Sequence, residues 1–311
     1  MIVSHVKANL SPLTFSCQPL SPDERDYASY YSIHADALHN EVSHELGYID
    51  CPCYRIACHY YGLPSPKGTF FLFHGYYDHV GLFRHVLTFL LNRGYSVLAY
   101  DLPGHGLSSG ALASIPDFSA YRDVLETILK ASEGRLPRPW HAYGQSTGCA
   151  IITEMLLSCC ETQKPLPFQR VVLSAPLVRP YLWKLGRLQL YASRWAISAL
   201  PRKFTNNSCD QAFLAFAKQD PLAPRLLPVE WVNAMDRWIR RVEQAAHRIP
   251  LTPLIVQGTH DKTVDARHNI AILSRLYQQP EVLYLKGARH HLPNEIPSTR
   301  QEYMTWLGHW L

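Results

Sequence analysis

Short apolar runs recur along the chain, and each ends at a cluster of turn residues. Six of these runs have the length and flanking residues of strands that are buried on both faces. They lie at 68–75, 94–106, 139–146, 168–176, 252–261 and 280–290. Three intervening segments carry apolar residues at helical spacing, at 117–132, 148–161 and 266–279. The alternation predicts an α/β fold in which helices flank a mostly parallel central sheet.

Two other stretches depart from this alternation. Residues 42–63 are typical of a leading β-hairpin, so we expect the sheet to be mixed at one edge. Residues 178–248 hold four of the seven tryptophans and a Pro-rich stretch, and no strand is predicted among them. This composition predicts a helical insertion between two core strands. The expected organisation is therefore a core formed by 1–177 and 249–311, with an inserted segment at 178–248.

Positive charge is concentrated in the insertion. It holds 12 Lys and Arg against 5 Asp and Glu, whereas the whole chain has a net charge of only +5. Apolar residues recur within it at steps of four and three, at Tyr181, Leu185, Leu188, Ala192 and Trp195. Basic residues fall to one side of that stripe, at Lys184, Arg187 and Arg194. The pattern predicts a basic amphipathic helix, which either lies on an anionic lipid surface or packs on its own core with a solvated charged edge.

Composition narrows the classes of protein. With 47% hydrophobic and 18% charged residues, the chain is typical of a soluble globular protein. No apolar run approaches the roughly 20 residues that a membrane-spanning helix needs, and no secretory signal precedes the fold. The eight cysteines show no regular framework, and the stretch 51–59 lacks the paired spacing of a zinc site. We expect reduced thiols, a cytoplasmic location with peripheral membrane contact as an option, and neither metal nor cofactor.

The clearest chemical motif is G-x-S-x-G, formed by Gly144, Ser146 and Gly148 between a predicted strand and a predicted helix. A serine on such a turn takes a strained conformation that exposes its hydroxyl, and side chains two residues away on either side would collide. The motif therefore predicts a nucleophile elbow with Ser146 as the nucleophile.

A serine nucleophile needs a base and an acid that orients the base. Asp261 follows one predicted strand, and His290 and His291 follow the next, which gives the chain order Ser, Asp, His. Asp265 is a less favoured acid. The spacing alone does not decide between the two histidines.

Three further motifs carry a family resemblance. They are "HGYYDH" at 74–79, "DLPGHGLS" at 101–108 and "GARHHLPNE" at 287–295. In these motifs, from about residue 45 to the end, the chain resembles α/β-hydrolases of the monoacylglycerol lipase and lysophospholipase type. The resemblance implies that His290 is the base. His291 then falls where the family usually has glutamate, and we interpret it as structural.

The resemblance also implies an oxyanion hole made by the backbone N–H groups of Tyr76 and Thr147. It implies that His74, His79 and His105 are structural, and that the insertion forms a cap over the site. Tyr77, Trp183 and Trp195 are the candidate substrate-pocket residues. The chain departs from the family at Gln145 and Thr147, and in having Tyr76 and Tyr77 after His74-Gly75. The two tyrosines would restrict the acyl group beside the oxyanion hole.

Three functional hypotheses follow. The first is a serine hydrolase of small-molecule acyl esters or lipids, of monoacylglycerol or lysophospholipid type. The second is amide or C–C bond hydrolysis, or acyl transfer, on the same triad. The third is a non-catalytic binding protein on the same scaffold, which the intact triad argues against. A nucleic-acid partner is not expected, because no recognition motif accompanies the basic segment. The oligomeric state stays open.

Overall fold

A computed structural model describes residues 2–185, 187 and 198–311. A single sheet of eight strands dominates it, in the order β1-β2-β4-β3-β5-β6-β9-β10. Its strands are β1 Ser43–Cys51, β2 Tyr54–Gly62, β3 Thr69–Phe73, β4 Ser96–Tyr100, β5 Trp140–Gln145, β6 Arg170–Ser174, β9 Leu254–Gly258 and β10 Glu281–Leu285. The pairs β1/β2 and β2/β4 are antiparallel, and the others are parallel. The carboxyl ends of β3, β5, β9 and β10 therefore lie at one edge of the sheet.

Helices cover both faces of this sheet. They are α1 Ile2–Asn9, α2 Pro22–Tyr30, α3 Ala35–Leu38, α4 Arg84–Asn92, α5 Phe118–Ser132, α6 Thr147–Glu161, α7 Gln211–Gln219, α8 Val229–Gln244, α9 Ala266–Leu276 and α10 Pro297–Trp310. One buried cluster packs helices α5, α6, α8 and α9 against one face of the sheet. A second packs α1, α2, α3, α4 and α10 against the other face. None of the described helices is long and apolar enough to cross a membrane.

The sequence pattern anticipated most of the sheet. Each of the six predicted runs contains a strand, the hairpin is β1 and β2, and the three predicted helices are α5, α6 and α9. The strands β3, β4, β5 and β9 are buried at every position, because helices pack on both faces and leave no polar side. The predicted α/β architecture with a mixed edge is confirmed.

The N-terminal helices α1, α2 and α3 were not anticipated. They have 8, 9 and 4 residues, too short for stability in isolation, so their formation depends on tertiary packing. Tyr27, Ala28 and Ile33 are almost completely buried in the second cluster, which holds this region on the sheet. A capping box at Ser21 and Glu24 sets where α2 begins.

The prediction that the insertion contains no strand is wrong. Strands β7 Ala199–Pro201 and β8 Leu226–Pro228 form a small antiparallel sheet. Each has three residues and ends in proline, so neither carries the alternation that identifies a strand in sequence.

The predicted helical content of the insertion is present in α7 and α8, which pack very differently. None of the α7 residues is buried. In α8, by contrast, Trp231 and Trp238 belong to the main core cluster, and the Trp238 ring stacks on Phe118 of α5 at 5.1 Å. By its packing, α8 is part of the layer that covers the sheet.

The predicted basic amphipathic helix falls only partly on described residues. Residues 183–185 and 187 are helical, whereas Leu188, Ala192, Arg194 and Trp195 lie outside the described residues. Lys184 is exposed, and Nε of Arg187 lies 3.1 Å from Oδ1 of Asp236 on α8. Arg187 is thus engaged in an ion pair with the insertion itself, which weakens its proposed role on a lipid surface.

Candidate active site

Ser146 lies at the turn between β5 and α6, with φ 52° and ψ −108°. Such a backbone conformation is strained for a residue with a side chain. Two glycines make the turn possible. A Cβ on Gly144 would lie 2.7 Å from the Cys149 nitrogen, and a Cβ on Gly148 only 2.2 Å from the Phe73 carbonyl oxygen. Helix α6 therefore approaches β5 at Gly144 and β3 at Gly148 so closely that only glycine fits at these two positions.

Asp261 and His290 meet at the carboxyl edge of the sheet, in the loops after β9 and β10. Nδ1 of His290 donates to Oδ2 of Asp261 at 2.8 Å, which leaves Nε2 as the accepting nitrogen. The other oxygen of Asp261 accepts the amide protons of Thr263 and Val264 at 2.8 and 3.2 Å. The carboxylate is fully buried and fixed, so it can hold the imidazole in one tautomer.

Burial and the mutual attraction of this pair shift each pKa in opposite directions. Burial would raise the pKa of Asp261, but the charge and hydrogen bond of His290 outweigh it and hold that pKa below its usual value. Burial would lower the pKa of His290, but Asp261 outweighs it, with a smaller contribution from Asp78, and raises that pKa above 6.5. The imidazole is therefore a stronger base than a free histidine.

Gln145 connects the nucleophile turn to the histidine loop. Its side-chain amide donates to the carbonyl oxygen of His290 at 2.9 Å, from the position directly before Ser146. The sequence marked Gln145 only as a departure from the family pattern, and its role was missed. Its place as the last residue of β5 was the available indication, because that edge of the sheet faces the loop after β10.

The loop after β3 lies against Ser146. A Cβ on Gly75 would lie 3.5 Å from Cβ of Ser146 and 2.7 Å from Oδ2 of Asp78. Tyr76 follows in this loop, and its hydroxyl donates to the Ala113 carbonyl at 2.7 Å. Thr147 is the first residue of α6, where amide groups have no acceptor within the helix. The two candidate oxyanion donors thus belong to segments on either side of Ser146.

The Tyr76 ring is held by the insertion. It stacks on Trp231 of α8 with ring centroids 3.7 Å apart, and Nε1 of Trp231 donates to the Tyr121 hydroxyl at 3.2 Å. The Tyr77 ring packs against Tyr76 at 4.1 Å and carries the guanidinium group of Arg202 on its face, also at 4.1 Å. Tyr76 and Tyr77 therefore lie in a cluster of aromatic rings beside the oxyanion loop, and the narrowing of the pocket stays a prediction.

Two histidines near the site, His74 and His105, have structural partners. His74 donates through Nδ1 to the Gly75 carbonyl and accepts the Leu102 amide at Nε2, and burial lowers its pKa to about 3. His105 contacts the Pro103 carbonyl at 2.9 Å, and burial lowers its pKa to about 4. Both are therefore neutral and serve to hold loops.

His79 takes part in a buried link to the insertion. Its Nε2 lies 2.8 Å from Oδ2 of Asp220, whose other oxygen accepts the Tyr31 hydroxyl at 2.8 Å. Burial would lower the pKa of His79, but Asp220 outweighs it and raises that pKa. Three regions therefore meet at Asp220: the loop after β3, the end of α2 and the inserted segment.

His291 is buried next to the loop after β3. Its Nε2 lies 3.3 Å from Oδ2 of Asp78, and its Nδ1 is 3.4 Å from the Asn294 amide. Burial would raise the pKa of Asp78, but its contact with His291 and the positive charge of Arg202 outweigh that effect and lower the pKa to about 2. Glu295 is also buried and accepts the Arg289 amide at 2.7 Å, directly before His290. These contacts brace the histidine loop.

The remaining candidates have other placements. Asp265 caps α9 and pairs with Arg179 at 2.7 Å, away from the imidazole of His290. Trp183 is partly buried against the main core cluster, and Trp195 lies outside the described residues. All eight cysteines are free. In the described part of the chain, no group of three or more His, Cys, Asp or Glu side chains is placed to hold a metal ion.

The chain matches the serine aminopeptidase S33 family over residues 64–297. Mouse monoglyceride lipase is 28% identical to it over 263 residues, which cover 79% of this chain and 84% of the mouse protein. The family match at 64–297 includes Gly144–Gly148, Asp261 and His290, and the family resemblance inferred from the motifs is confirmed.

Two solved structures share the architecture. The monoacylglycerol lipase of Paleococcus ferrophilus has a TM-score of 0.69 at 19% identity, covering 82% of this chain and 97% of that one. A soluble variant of monoglyceride lipase from Saccharomyces cerevisiae, in complex with a substrate analog, has a TM-score of 0.73 at 16% identity, with coverages of 88% and 96%. At these identities the similarity establishes the α/β-hydrolase fold.

Proposed function

Because the chain belongs to the serine aminopeptidase S33 family of α/β hydrolases, we propose that it is a serine hydrolase that cleaves carboxylic esters through an acyl-enzyme. One observation carries the proposal. The strained Ser146 and the buried His290–Asp261 pair meet at one edge of the sheet, joined through the Gln145 hydrogen bond to His290. A non-catalytic scaffold would have no need of this strain or of a buried, polarised imidazole.

In the first half of the reaction, Oγ of Ser146 attacks the ester carbonyl carbon while Nε2 of His290 accepts the hydroxyl proton. Asp261 stabilises the imidazolium that forms. The amides of Tyr76 and Thr147 donate to the developing oxyanion, each contributing about 3–4 kcal/mol to transition-state stabilisation. The C–O bond then breaks, and the alcohol leaves with the proton from His290.

In the second half, a water molecule attacks the acyl-enzyme. His290 accepts a proton from the water, and the tetrahedral intermediate collapses to a carboxylic acid. Ser146 recovers its proton from the imidazolium. The triad thus returns to its starting state without a metal or a cofactor taking part in any step.

The proposed substrate is a monoacylglycerol or a related single-chain ester. The monoglyceride lipase relatives support this class, and the described insertion provides apolar and aromatic surface next to the oxyanion loop. We propose that residues 178–248 act as the cap, with Tyr77 and Trp183 among the pocket residues. Trp195 stays a candidate on sequence grounds alone.

Contact with a lipid surface is part of this proposal. Six large apolar side chains of the insertion are exposed, namely Tyr181, Leu182, Leu185, Leu200, Phe204 and Leu226. They lie in the segment that carries the excess of basic residues. Apolar and basic groups together favour an anionic membrane surface, from which a single-chain lipid could enter the site.

Covalent labelling with a fluorophosphonate probe tests the nucleophile. Wild type should be labelled once per chain, and Ser146→Ala should lose both labelling and ester turnover. The matched control is Ser158→Ala, which removes a hydroxyl from the same helix and should leave both unchanged. Stoichiometric labelling of the Ser146→Ala protein would reject the assignment.

A substrate panel separates the alternatives. The panel compares, under the same conditions, octanoyl esters, the matching octanoyl amides, a substrate with a hydrolysable C–C bond, and octanoyl esters supplied with an acceptor alcohol. The proposal expects ester hydrolysis to exceed the other reactions, whereas faster amide cleavage would favour a peptidase-like function. Binding of an acyl ester without turnover would favour the non-catalytic scaffold.

A further inference from the structure

Arg202 lies where the insertion meets the loop after β3. It directly follows β7, and its amide donates to the Arg225 carbonyl at 2.9 Å, so the small β7–β8 sheet fixes its backbone. Its guanidinium carbon lies 4.1 Å from the ring centre of Tyr77 and 4.4 Å from that of Phe204. One N–H donates to the Pro224 carbonyl at 3.2 Å. The side chain is therefore held between two aromatic rings.

Arg202 differs from most neighbouring arginines in having no ion pair with a carboxylate. Five other described arginines between residues 178 and 248 pair with carboxylates, namely Arg179, Arg187, Arg237, Arg240 and Arg241. Among the described residues, no carboxylate oxygen lies within 4.0 Å of the Arg202 guanidinium, although this side chain is half-buried. Asp78 acts on Arg202 electrostatically but forms no ion pair with it, so the guanidinium group has no directly bound counter-charge.

The guanidinium remains available for a ligand. Burial lowers the pKa of Arg202 while Asp78 opposes that effect, and a guanidinium stays charged at neutral pH in either case. A single N–H donor is used by Pro224, so a pair of donors remains for bidentate binding of a phosphate or a carboxylate. Tyr77, on which the group rests, directly follows the proposed oxyanion donor Tyr76.

We propose that Arg202 binds an anionic group of the substrate, a phosphate or a carboxylate, and so raises the reactivity of negatively charged single-chain esters relative to neutral ones. The inference rests on the proposed ester hydrolysis and specifies its substrate class. Two observations support it. The half-buried guanidinium of Arg202 contacts two aromatic rings beside the oxyanion loop, and within the described part of the chain it forms no ion pair with a carboxylate.

The test compares 1-octanoyl glycerol with 1-octanoyl glycerol 3-phosphate and with a carboxylate-bearing octanoyl ester, all as monomers in solution. The measured quantity is the ratio of kcat/KM for each anionic ester to that for the neutral one. A ratio does not depend on the fraction of folded enzyme. A charged hydrogen-bonded contact of this kind corresponds to about a 10- to 100-fold change, so Arg202→Gln should lower the ratio by that factor.

Two variants and one competitor make the result specific. Lys203→Gln removes the same charge from the adjacent exposed residue and should leave the ratio unchanged. Arg202→Lys should give an intermediate ratio, because the ammonium group keeps the charge but not the bidentate fork. Inorganic phosphate should inhibit hydrolysis of the neutral ester by wild type more strongly than by Arg202→Gln.

The outcomes separate this inference from the proposed function. An unchanged ratio in Arg202→Gln, or an equal loss in Lys203→Gln, would overturn the anion preference while ester hydrolysis stands. Failure of wild type to hydrolyse any of the esters would overturn both. A phosphate-bearing ester that responds to Arg202→Gln, together with a carboxylate-bearing ester that does not, would restrict the site to phosphate.

Discussion

The nucleophile turn and the inserted segment use their residues in opposite ways. Around Ser146, backbone atoms approach so closely that a single added Cβ on Gly144 or Gly148 would collide, and the proposed catalytic pair, His290 and Asp261, is buried. Between residues 198 and 226, large apolar side chains are exposed, α7 has no buried residue, and Arg202 has no carboxylate partner among the described residues. The first region is organised by internal packing, whereas we propose that the exposed side chains of the second serve contacts with substrate and lipid.

This difference separates chemistry from selectivity. Substitutions around Ser146, Asp261 and His290 should affect every substrate alike, because the reacting bond is common to all of them. Substitutions in the exposed part of the insertion should change which substrates are accepted. Helix α8 lies between these extremes, since it belongs to the insertion in sequence but to the main core cluster in packing.

The largest effect is expected at the base. His290→Ala should lower kcat by about 10⁶-fold, since members of a triad act as a unit and removal of one loses most of the advantage. His291→Ala removes a neighbouring imidazole that contacts Asp78 and should cost about 10-fold at most, by loosening the loop. Steady-state kinetics on one soluble ester ranks the two. A larger loss at His291 would exchange their roles.

A smaller loss is expected at the acid, together with a shift in pH dependence. Asp261→Asn should lower kcat by about 10⁴-fold. In wild type, kcat/KM should fall as the pH drops through the pKa of His290, which lies above 6.5, because the protonated imidazole accepts no proton. Loss of the carboxylate lowers that pKa, so the acid limb of the kcat/KM profile should move to lower pH. Asp265→Asn is the matched control and should leave this limb in place.

The sequence predicted the chemical centre better than its supports. Ser146, Asp261 and His290 follow strands whose apolar runs are unmistakable, and parallel strands necessarily bring their carboxyl ends together. Asp220 could not be identified in this way. Its partners His79 and Tyr31 are 141 and 189 residues away, and no local pattern encodes a contact of that separation. Arg202 was missed because β7 and β8 are too short to be recognised.

The next effect concerns the buried link between the two regions. Asp220→Asn should lower the free energy of unfolding by about 1–3 kcal/mol, because it weakens a buried charged hydrogen bond. Denaturant unfolding measures this difference, and Asp210→Asn, a more exposed helix cap in the same segment, is the control. An equal loss in both variants would mean that the link adds nothing specific.

The pH dependence of that difference follows from the two pKa shifts. Burial would raise the pKa of Asp220 but His79 outweighs it, so the folded pKa is lowered and this contribution is lost only as pH falls through it. The pKa of His79 is raised, so its contribution is complete below the unfolded value and is lost as pH rises through the folded one. The stability difference between wild type and Asp220→Asn should be largest at about pH 4–6.5. A difference that keeps growing above this range would contradict the assignment.

The smallest effect is expected at the exposed surface of the insertion. Leu182→Ser together with Leu185→Ser should weaken binding to anionic vesicles by about 10-fold, because partial burial of the two leucines together contributes about 1.4 kcal/mol. Binding of wild type should also weaken as salt rises, since the attraction is screened over about 10 Å at 0.1 M salt. Vesicle sedimentation measures both. Turnover of a soluble ester should stay the same, and a vesicle affinity indifferent to salt and to these serines would exclude this surface.

The stacking of Trp231 on Tyr76 limits how freely this protein can diversify. In many enzymes a lineage can exchange the residues over a pocket and acquire new substrates while its reaction stays intact. Here the ring at 3.7 Å ties helix α8 to the very residue whose amide we assign to the oxyanion hole. A substitution at Trp231 would therefore alter substrate choice and reaction rate together. We expect substrate choice to change without loss of rate only through substitutions in the exposed part of the insertion around Arg202.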